Sequence, residues 1–363
     1  MKAAVLNRQP GTLEIEDVRV DDPAPGEVLV RTVGAGLCHS DLHFMEGTFS
    51  TRVPTVLGHE SAGVVEAVGE GVTYVERGDH VICCLSIFCG TCRQCLGGFP
   101  NRCLNPAATA RPKGAPSRLT RADGSAMGQF ARLGGFAELM LVHEHGLVKV
   151  DRQMPLDKAA LIGCGVTTGM GAVFRTAKVE PGSRVCVIGA GGIGLAAIQA
   201  ARIAGAGMVI VVDVSGDKLS TARALGASHA VNAGEVDDVV AAVKELSGGG
   251  VDYSFEAIGK KLTAEQAFES LDVGGTATII GMVPDHQRLE IKAMDLLFEK
   301  RLQGSMMGSN QFRTDMPRMV SMYLDGRLDL DSMVSKTLTL EEVNDGYELM
   351  KRGEIARSVI VFP

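Results

Sequence analysis

Two hydrophobic patterns divide the chain. Up to about residue 165, short apolar and β-branched runs alternate with turns that contain glycine or proline, as in VLVRTVGAGLC, SAGVVEAVGEGV, HVICCL and FAELMLV. Runs of this kind predict short strands, so we expect an irregular and mostly antiparallel β domain here. The stretch from about residue 105 to 132 has the composition of turns and loops instead.

The pattern changes at about residue 166. Strand-like runs such as RVCVIG, MVIVVDV and TATIIGM are separated by helix-like runs such as LAAIQAARIAG and VDDVVAAVKELSGG. Strands that alternate with helices predict a parallel sheet covered by helices on both faces. After residue 306 the chain is mixed, with two helix-like runs before a last strand-like run, RSVIVFP.

Composition narrows the functional classes. The 363 residues are 45% hydrophobic and 22% charged, as in an ordinary globular protein, and they are enough for two domains. The net charge of −7 and the lack of a long basic run argue against a nucleic-acid partner. The apolar run 185–201 is interrupted by glycines, so it predicts a buried strand and helix and no membrane partner. The chain starts without a signal-peptide pattern, and its nine cysteines then favour a cytoplasmic location.

Four cysteines lie close together in the stretch CGTCRQCLGGFPNRC. They are Cys89, Cys92, Cys95 and Cys103. Two-residue gaps let one tight turn aim neighbouring thiolates at one point, and the wider gap lets a short loop bring in the fourth. Four thiolates form a closed structural zinc site that has no open position for chemistry. Two disulfides or an iron–sulfur cluster are the alternatives for this pattern.

The sequence GAGGIG follows a strand-like run and begins a helix-like run. This G-x-G-x-x-G pattern in this context predicts a dinucleotide-binding turn. Gly189 permits the tight turn, Gly191 lets the backbone approach the pyrophosphate, and Gly194 lets the helix pack on the strand. Gly192 and Ile193 complete the loop. A tight turn that binds no nucleotide is the alternative.

Two residues beyond this loop bear on the choice of cofactor. Asp213 ends the next strand-like run, where a carboxylate meets the ribose hydroxyls of the adenosine. Because a carboxylate there repels a 2′-phosphate, we expect NAD rather than NADP. Lys218 is placed to reach the same ribose.

A second group of metal-ligating residues comes from three separate motifs. Cys38, His59 and Cys164 lie in GLCHSD, LGHESAG and GCGVTTG and form a Cys2His set. Three protein ligands leave the fourth zinc position for water or substrate, as a catalytic site requires. Asp41 is a candidate to hold the second nitrogen of His59. Taken singly, a buried cysteine is most often core and a histidine most often structural.

Together these motifs resemble the zinc-containing alcohol dehydrogenases of the medium-chain dehydrogenase/reductase superfamily. The resemblance covers essentially the whole chain, and VIGAGGIG and VVDV stand in the family's order after the three metal motifs. It implies an α/β fold class with a GroES-like, mostly-β catalytic domain over residues 1–165 and 307–363. The Rossmann domain, a doubly wound parallel sheet, would span residues 166–306. It also implies NAD and two Zn²⁺ per chain as cofactors.

The resemblance assigns roles around the catalytic zinc. Cys38, His59 and Cys164 match its ligands. Glu60 matches the acid behind that zinc, Ser40 the hydroxyl that takes the substrate proton, and His43 the surface end of a proton relay. The resemblance implies hydride transfer between NAD and an alcohol, which gives an aldehyde or ketone, with primary aliphatic and aromatic alcohols as the favoured substrates.

Three more residues are assigned to the cofactor by the resemblance. Thr168 lies near the nicotinamide, and Arg357 matches an arginine on the pyrophosphate. His39 sits where many relatives carry a pyrophosphate-binding arginine. Since histidine is more often neutral at pH 7, the binding and release of NAD are expected to differ here.

Two alternative functions remain. One is a thiol-dependent formaldehyde dehydrogenase or an aldehyde dismutase with tightly bound NAD. The segment EGTFSTRVP has Glu46 as its only acid, which argues against a glutathione adduct but not against another thiol. The more remote alternative is a non-catalytic nucleotide-binding relative, which would typically lack the metal ligands.

The resemblance also suggests an assembly. The segment between Cys103 and Phe136 is long, as it usually is in dimeric members of the family. In such dimers the last strands of two Rossmann sheets pair edge to edge, which buries their free edges. We therefore expect a homodimer through the strand-like run RLQGSM, residues 301–306.

Overall fold

The computed structural model describes residues 1–353 and 357–363. These residues form two compact units, 1–164 with 311–363 and 165–310. The sequence placed the boundaries at 165/166 and 306/307. Within the described residues, no helix combines the length and the apolar character that crossing a membrane requires.

The described strands are numbered along the chain. They are β1 (Lys2–Leu6), β2 (Leu13–Asp17), β3 (Arg19–Val20), β4 (Glu27–Gly36), β5 (Thr55–Val56), β6 (Ser61–Val68), β7 (His80–Cys83), β8 (Leu119–Thr120), β9 (Ala126–Gln129), β10 (Leu139–His143), β11 (Leu147–Lys149), β12 (Arg184–Ile188), β13 (Met208–Asp213), β14 (His229–Asn232), β15 (Val251–Glu256), β16 (Leu271–Ile279), β17 (Arg301–Gly304), β18 (Lys336–Leu338) and β19 (Ser358–Val361).

The described helices are numbered in the same way. They are α1 (His39–Met45), α2 (Arg93–Leu96), α3 (Leu156–Leu161), α4 (Thr167–Gly171), α5 (Gly192–Ile203), α6 (Gly216–Ala224), α7 (Val239–Ser247), α8 (Lys261–Glu269), α9 (Ala293–Leu297), α10 (Phe312–Leu324) and α11 (Val343–Lys351). Shorter turns include the π-helical Ile162–Val166 and the 3₁₀ turns Pro106–Thr109 and Phe130–Arg132.

The first unit is built on two mostly antiparallel sheets. One has the strand order β2-β1-β5-β9-β8-β3, and the other has the order β11-β7-β6-β4-β19-β18 with β10 also paired to β4. One hydrophobic core of this unit contains Leu37, Leu42, Phe136, Tyr347 and Ile360. Because Leu42 lies on α1, this core fixes the helix that follows directly after Cys38.

The turn and loop composition of residues 105–132 was confirmed for most of the stretch, but it missed two short strands. This stretch contains β8 and β9, which pair antiparallel with Leu119 opposite Met127, and β9 also runs parallel to β5. Both side chains are buried in a small core beside β1. Two-residue and four-residue strands are too short to show an alternating pattern, so composition alone predicted loops.

The second unit is a parallel sheet with the strand order β14-β13-β12-β15-β16-β17. Its strands pair in parallel throughout, and helices α5 to α8 pack on them. The alternation of strands and helices in the sequence predicted this sheet correctly. β12 lies centrally, so the turn at its carboxyl end is at the point where the strand order reverses, the usual position of a nucleotide site.

Candidate active site

Two groups of side chains in the described residues could hold a metal ion. One contains Cys38, His59 and Cys164, and the other contains Cys89, Cys92, Cys95 and Cys103. Within each group, all ligand atoms lie within 4.8 Å of one another. The structure therefore brings together both sets of residues that the sequence spacing suggested.

The four-cysteine lobe is arranged around one point. Cys95 Sγ lies 3.9 Å from Cys89 Sγ and 3.4 Å from Cys92 Sγ, and all four cysteines are free thiols. Tetrahedral thiolates at about 2.3 Å from a zinc ion lie about 3.8 Å apart, so these spacings fit a single zinc. A multi-iron cluster would need its cysteines farther apart, because each would bind a different iron.

Backbone hydrogen bonds stabilise thiolates in this lobe. The amide and hydroxyl groups of Thr91 donate to Cys89 Sγ at 3.4 and 3.6 Å, and they lower the pKa of Cys89 to about 6. The Cys95 amide and the Leu104 amide lower the pKa of Cys92 in the same way. Burial raises the pKa of Cys95 to about 12, so the hydrogen bonds favour thiolates at Cys89 and Cys92. Two favoured thiolates suit a structural zinc, which would displace the remaining protons.

The Cys2His set is assembled from three different elements. Cys38 is the residue before α1, His59 lies in the loop before β6, and Cys164 lies in the π-helical turn Ile162–Val166. All three side chains are buried. Rare π-helical turns often occur at functional sites, and this one carries a thiol toward the other two ligands.

Asp41 orients His59. Its Oδ2 lies 3.0 Å from His59 Nδ1, and its Oδ1 accepts a hydrogen bond of 3.0 Å from the Gly58 amide. The carboxylate is thus fixed by the residue that precedes the histidine. With Nδ1 facing Asp41, Nε2 is the nitrogen left for a metal.

The electrostatics of this group favour a cation. A hydrogen bond from the Cys164 thiol and the positive charge of His59 hold the pKa of the Cys38 thiol well below its usual range. Burial opposes the charged form of His59, but Asp41 and Cys38 raise the pKa of His59 well above its usual value. The hydrogen bond to Cys38 and burial raise the pKa of the Cys164 thiol well above its usual range, so Cys38 is the thiol that favours the thiolate form. A zinc ion bound by all three side chains would displace the protons of Cys164 and His59 and keep one position open.

A buried ion pair joins Glu60 to the last strand. Arg357 Nη2 lies 2.9 Å from Glu60 Oε1 and 2.8 Å from Oε2, and Arg357 Nη1 donates to the Leu37 carbonyl at 2.8 Å. Arg357 is only 4% exposed. The contacts shown for Arg357 are therefore to Glu60 and to the residue before Cys38, and its role at the pyrophosphate stays a prediction.

The remaining residues assigned to the metal site lie on α1. Ser40 Oγ is 3.7 Å from Cys38 Sγ, and His43 is one turn farther along the same helix. Both side chains are half-buried, whereas His39 at the first position of α1 is exposed. Residues three apart share one helix face, so Ser40 and His43 lead from the ligand set toward solvent.

An aromatic cluster beside His59 was not predicted from the sequence. The Phe130 ring packs edge-on against His59, with 5.6 Å between ring centroids, and lies 4.6 Å from the Phe44 ring. Phe44 also contacts Phe49, which packs against His43. The only signal in the sequence was the position of Phe44 and Phe49 just after GLCHSD, because Phe130 lies in the stretch that predicted loops.

The glycine loop after β12 has the geometry that its pattern requires. Gly189 has φ +101°, which a side chain would strain. A Cβ on Gly194 would lie 1.7 Å from the Gly189 carbonyl oxygen, whereas a Cβ on Gly191 would meet no atom within 4 Å. The space at Gly191 suits a bound pyrophosphate, and α5 begins at the next residue, Gly192, followed by Ile193.

Asp213 fixes this loop. Its Oδ2 accepts a hydrogen bond of 2.7 Å from the Ala190 amide, and its Oδ1 accepts one of 3.0 Å from the Ser215 amide. The carboxylate thus joins the end of β13 to the glycine loop. Lys218 is half-buried on the first turn of α6, where its amide faces Ser215. Thr168 is buried on α4, and its hydroxyl faces Met307 Sδ at 3.5 Å.

Two family models match most of the chain. The alcohol dehydrogenase GroES-like domain matches residues 24–152, and the zinc-binding dehydrogenase model matches residues 192–323. The first match contains two residues of the Cys2His set and the whole four-cysteine lobe. The second begins at the start of α5, beside the glycine loop.

Three solved structures are similar over the full length. An alcohol dehydrogenase zinc-binding domain protein from Burkholderia ambifaria is 35% identical, with a TM-score of 0.95, over 100% of this chain and 98% of that one. Benzyl alcohol dehydrogenase from Acinetobacter calcoaceticus is 31% identical, with a TM-score of 0.93, over 100% and 99% of the two chains. A putative zinc-binding dehydrogenase from Sinorhizobium meliloti 1021, bound to NADP, is 27% identical, with a TM-score of 0.82, over 99% of each chain.

Proposed function

Because the chain belongs to the zinc-containing alcohol dehydrogenases of the medium-chain dehydrogenase/reductase superfamily, we propose that it oxidises aromatic primary alcohols to aldehydes with NAD. The family membership makes it an oxidoreductase with the predicted fold of a GroES-like domain and a Rossmann domain. The observation that carries the choice of substrate is the pair of rings from Phe130 and Phe44 beside His59.

The Cys2His set holds the reacting alcohol in this proposal. A zinc ion bound by Cys38, His59 and Cys164 would supply a Lewis acid for the alcohol oxygen. Asp41 keeps His59 in the tautomer that leaves Nε2 for the metal. Phe130 and Phe44 offer apolar edges and faces to a substrate ring, which favours an aromatic alcohol over a charged or strongly polar one.

Ser40 and His43 move the proton. Ser40 accepts the alcohol proton, since its hydroxyl lies beside Cys38 on the first turn of α1. His43, one turn farther along α1 and half-buried, would then release a proton to solvent. Glu60, held by Arg357, supplies negative charge close to the Cys164 thiol.

A panel of alcohols tests this function. Benzyl alcohol, a primary aliphatic alcohol and a secondary alcohol are assayed with NAD, each with and without an added thiol. We expect the highest kcat/KM for benzyl alcohol and no dependence on the thiol. Formaldehyde oxidation that requires a thiol, with no oxidation of benzyl alcohol, would replace this proposal with the thiol-dependent one.

The cofactor part of the proposal rests on Asp213. A nicotinamide cofactor at the glycine loop would supply the hydride acceptor. Asp213 already bonds the Ala190 amide with one oxygen, so its charge lies next to the loop that takes the adenosine ribose. The similar structure from S. meliloti holds NADP, so the preference of this chain needs its own measurement.

Removing the charge of Asp213 is expected to relax the preference for NAD. Asp213→Asn keeps one oxygen acceptor for the loop, whereas Asp213→Gly removes both acceptors. We expect each to raise the NADP/NAD ratio of kcat/KM by about tenfold or more, or ~1.4 kcal/mol. Only the glycine variant should also weaken both cofactors, because its loop loses the bond to Ala190. A wild-type enzyme that uses NADP as well as NAD would contradict this role for Asp213.

We also propose a homodimer through the second unit. β17 is an edge strand of the described sheet, and the residues just before it expose apolar side chains, with Leu297 74% and Phe298 52% accessible. An open edge beside exposed apolar residues is typical of an interface.

Static light scattering of the unmodified protein should give the mass of a dimer, and Leu297→Glu combined with Phe298→Glu should give a monomer. Leu96→Glu, equally exposed on the four-cysteine lobe, is the control and should stay dimeric. A tetramer in the unmodified protein would contradict this proposal.

A cytoplasmic location is part of the same proposal. All nine cysteines, which the structure describes, are free thiols. Free thiols and thiolate metal sites persist in reducing compartments. Fractionation of cells that produce the protein would test this location.

A further inference from the structure

The turn that carries Phe130 has an unusual backbone. Ala131 and Arg132 have φ +52° and +60°, in the left-handed region that residues with a Cβ rarely adopt. Each such residue costs about 1 kcal/mol or more, and such conformations persist where surrounding contacts hold them. The left-handed backbone of this turn therefore depends on the contacts that its side chains make.

Arg132 supplies those contacts. Its Nη1 donates to the Thr109 hydroxyl oxygen at 2.8 Å and to the Pro106 carbonyl, both in the 3₁₀ turn Pro106–Thr109. The Thr109 hydroxyl is buried and itself donates to the Pro106 carbonyl at 2.8 Å. Arg118 Nη2 donates to the Thr109 carbonyl at 3.2 Å. We call this arrangement of Arg132, Thr109 and Pro106 the arginine clamp.

The clamp has no carboxylate among its contacts in the described residues. Arg132 is half-buried and donates to a carbonyl and a hydroxyl. Burial and the charge of Arg118 lower the pKa of its guanidinium, whereas the charge of Cys103 raises it. Removing a charged group from water is costly, and the two hydrogen bonds of the clamp offset this cost only where both turns are held in place.

The turn that the clamp holds reaches the metal site through Phe130. Phe130 is two residues before Arg132 in the same turn, and its ring packs on His59 and Phe44. The turn is closed on the other side by Gln129, whose Nε2 donates to the Leu133 and Leu141 carbonyls. Movement of Arg132 would thus move the Phe130 ring relative to His59.

We propose that Arg132 is a positioning residue that sets the preference for aromatic alcohols by clamping the Phe130 turn to Pro106–Thr109. This inference rests on the proposed function, and it assigns to the long segment 105–132 a part in substrate selection. A substrate ring uses the face that the clamp holds in place, whereas a two-carbon alcohol does not reach it. Loosening the clamp should therefore weaken benzyl alcohol binding and leave ethanol unaffected.

Two variants remove the clamp from its two ends. Arg132→Met keeps the aliphatic stem and removes the donors, and Thr109→Val keeps the shape and removes the hydroxyl. We expect each to raise KM for benzyl alcohol about tenfold, with kcat within about twofold and ethanol kinetics unchanged. The double variant should be no worse than Arg132→Met alone, because both changes break one arrangement. Arg102→Met is the control. It replaces an exposed arginine that lies over the Phe99 ring, and it should leave KM and kcat unchanged for both alcohols.

Hydrogen exchange gives a readout that does not depend on activity. In Arg132→Met and Thr109→Val, amides of residues 107–110 and 130–134 should exchange faster, and those of β12 should not change. Unchanged exchange, or equal loss for benzyl alcohol and ethanol, would overturn the inference. Failure of the proposed function would show earlier and separately, as an unmodified enzyme that oxidises neither alcohol.

Discussion

Cys38→Ala is expected to remove about one zinc ion per chain and essentially all alcohol oxidation. Cys38 is one of three buried ligands, and the Cys164 thiol and the charge of His59 favour its thiolate form. Two ligands, His59 and Cys164, hold zinc far more weakly than three. Zinc content by mass spectrometry should fall from two ions per chain to one. Circular dichroism should be unchanged, because the core around Leu37 and Leu42 does not need the metal.

Two other cysteines provide the comparison for this result. Cys186→Ala removes a buried cysteine of β12 that lies in neither metal group, so it should keep two zinc ions and full activity. Cys95→Ala should lose the other zinc and lower the melting temperature first, since the lobe has little core of its own. Its specific activity should fall only after the lobe opens. A fully active unmodified protein with a single zinc would contradict this assignment.

The metal groups show what a sequence can predict about a site. Cys89, Cys92 and Cys95 are two residues apart, so one turn determines their geometry and spacing alone suggests a common metal. Cys38, His59 and Cys164 are far apart in the chain, and only the combined pattern and its resemblance to a family brought them together. The structure then showed a donor set compact enough for one ion.

The parallel sheet was predictable because its signal is repeated. The central strands β12 and β13 are buried apolar runs, and the helix that follows β12 buries most of its apolar residues. The glycine loop adds a local signal, since only glycine allows φ +101° at Gly189 and the close contact at Gly194. None of this determined which oxygen of Asp213 would bind the Ala190 amide.

The aromatic cluster beside His59 was not predictable, for a physical reason. Phe130 and Arg132 lie in a turn with left-handed backbone, and the partners of Arg132, Pro106 and Thr109, lie in another irregular turn. Turns without periodicity give no signal for which side chains meet. The ion pair between Glu60 and Arg357 was also not predicted. The two residues are 297 positions apart, and nothing in the sequence around either one indicates a contact with the other.

The proton path leads to the second large expected effect. Ser40→Ala should lower kcat by about 10²- to 10⁴-fold, the usual contribution of a positioned proton acceptor. The zinc content should stay at two per chain, because Ser40 contacts Cys38 at 3.7 Å without being a ligand. Ser40→Thr keeps a hydroxyl at the same position and should restore much of the rate.

His43→Ala should cost less than Ser40→Ala, and this difference identifies the order of the path. His43 is half-buried at the last turn of α1, next to Phe49, so water can take its place. Added imidazole buffer should partly restore the rate of His43→Ala and should not restore that of Ser40→Ala, since an exogenous base can replace a group near solvent but not one beside Cys38. The measurement is kcat at several buffer concentrations and fixed pH. An unchanged rate in Ser40→Ala would remove the hydroxyl from the path and leave solvent to take the proton directly.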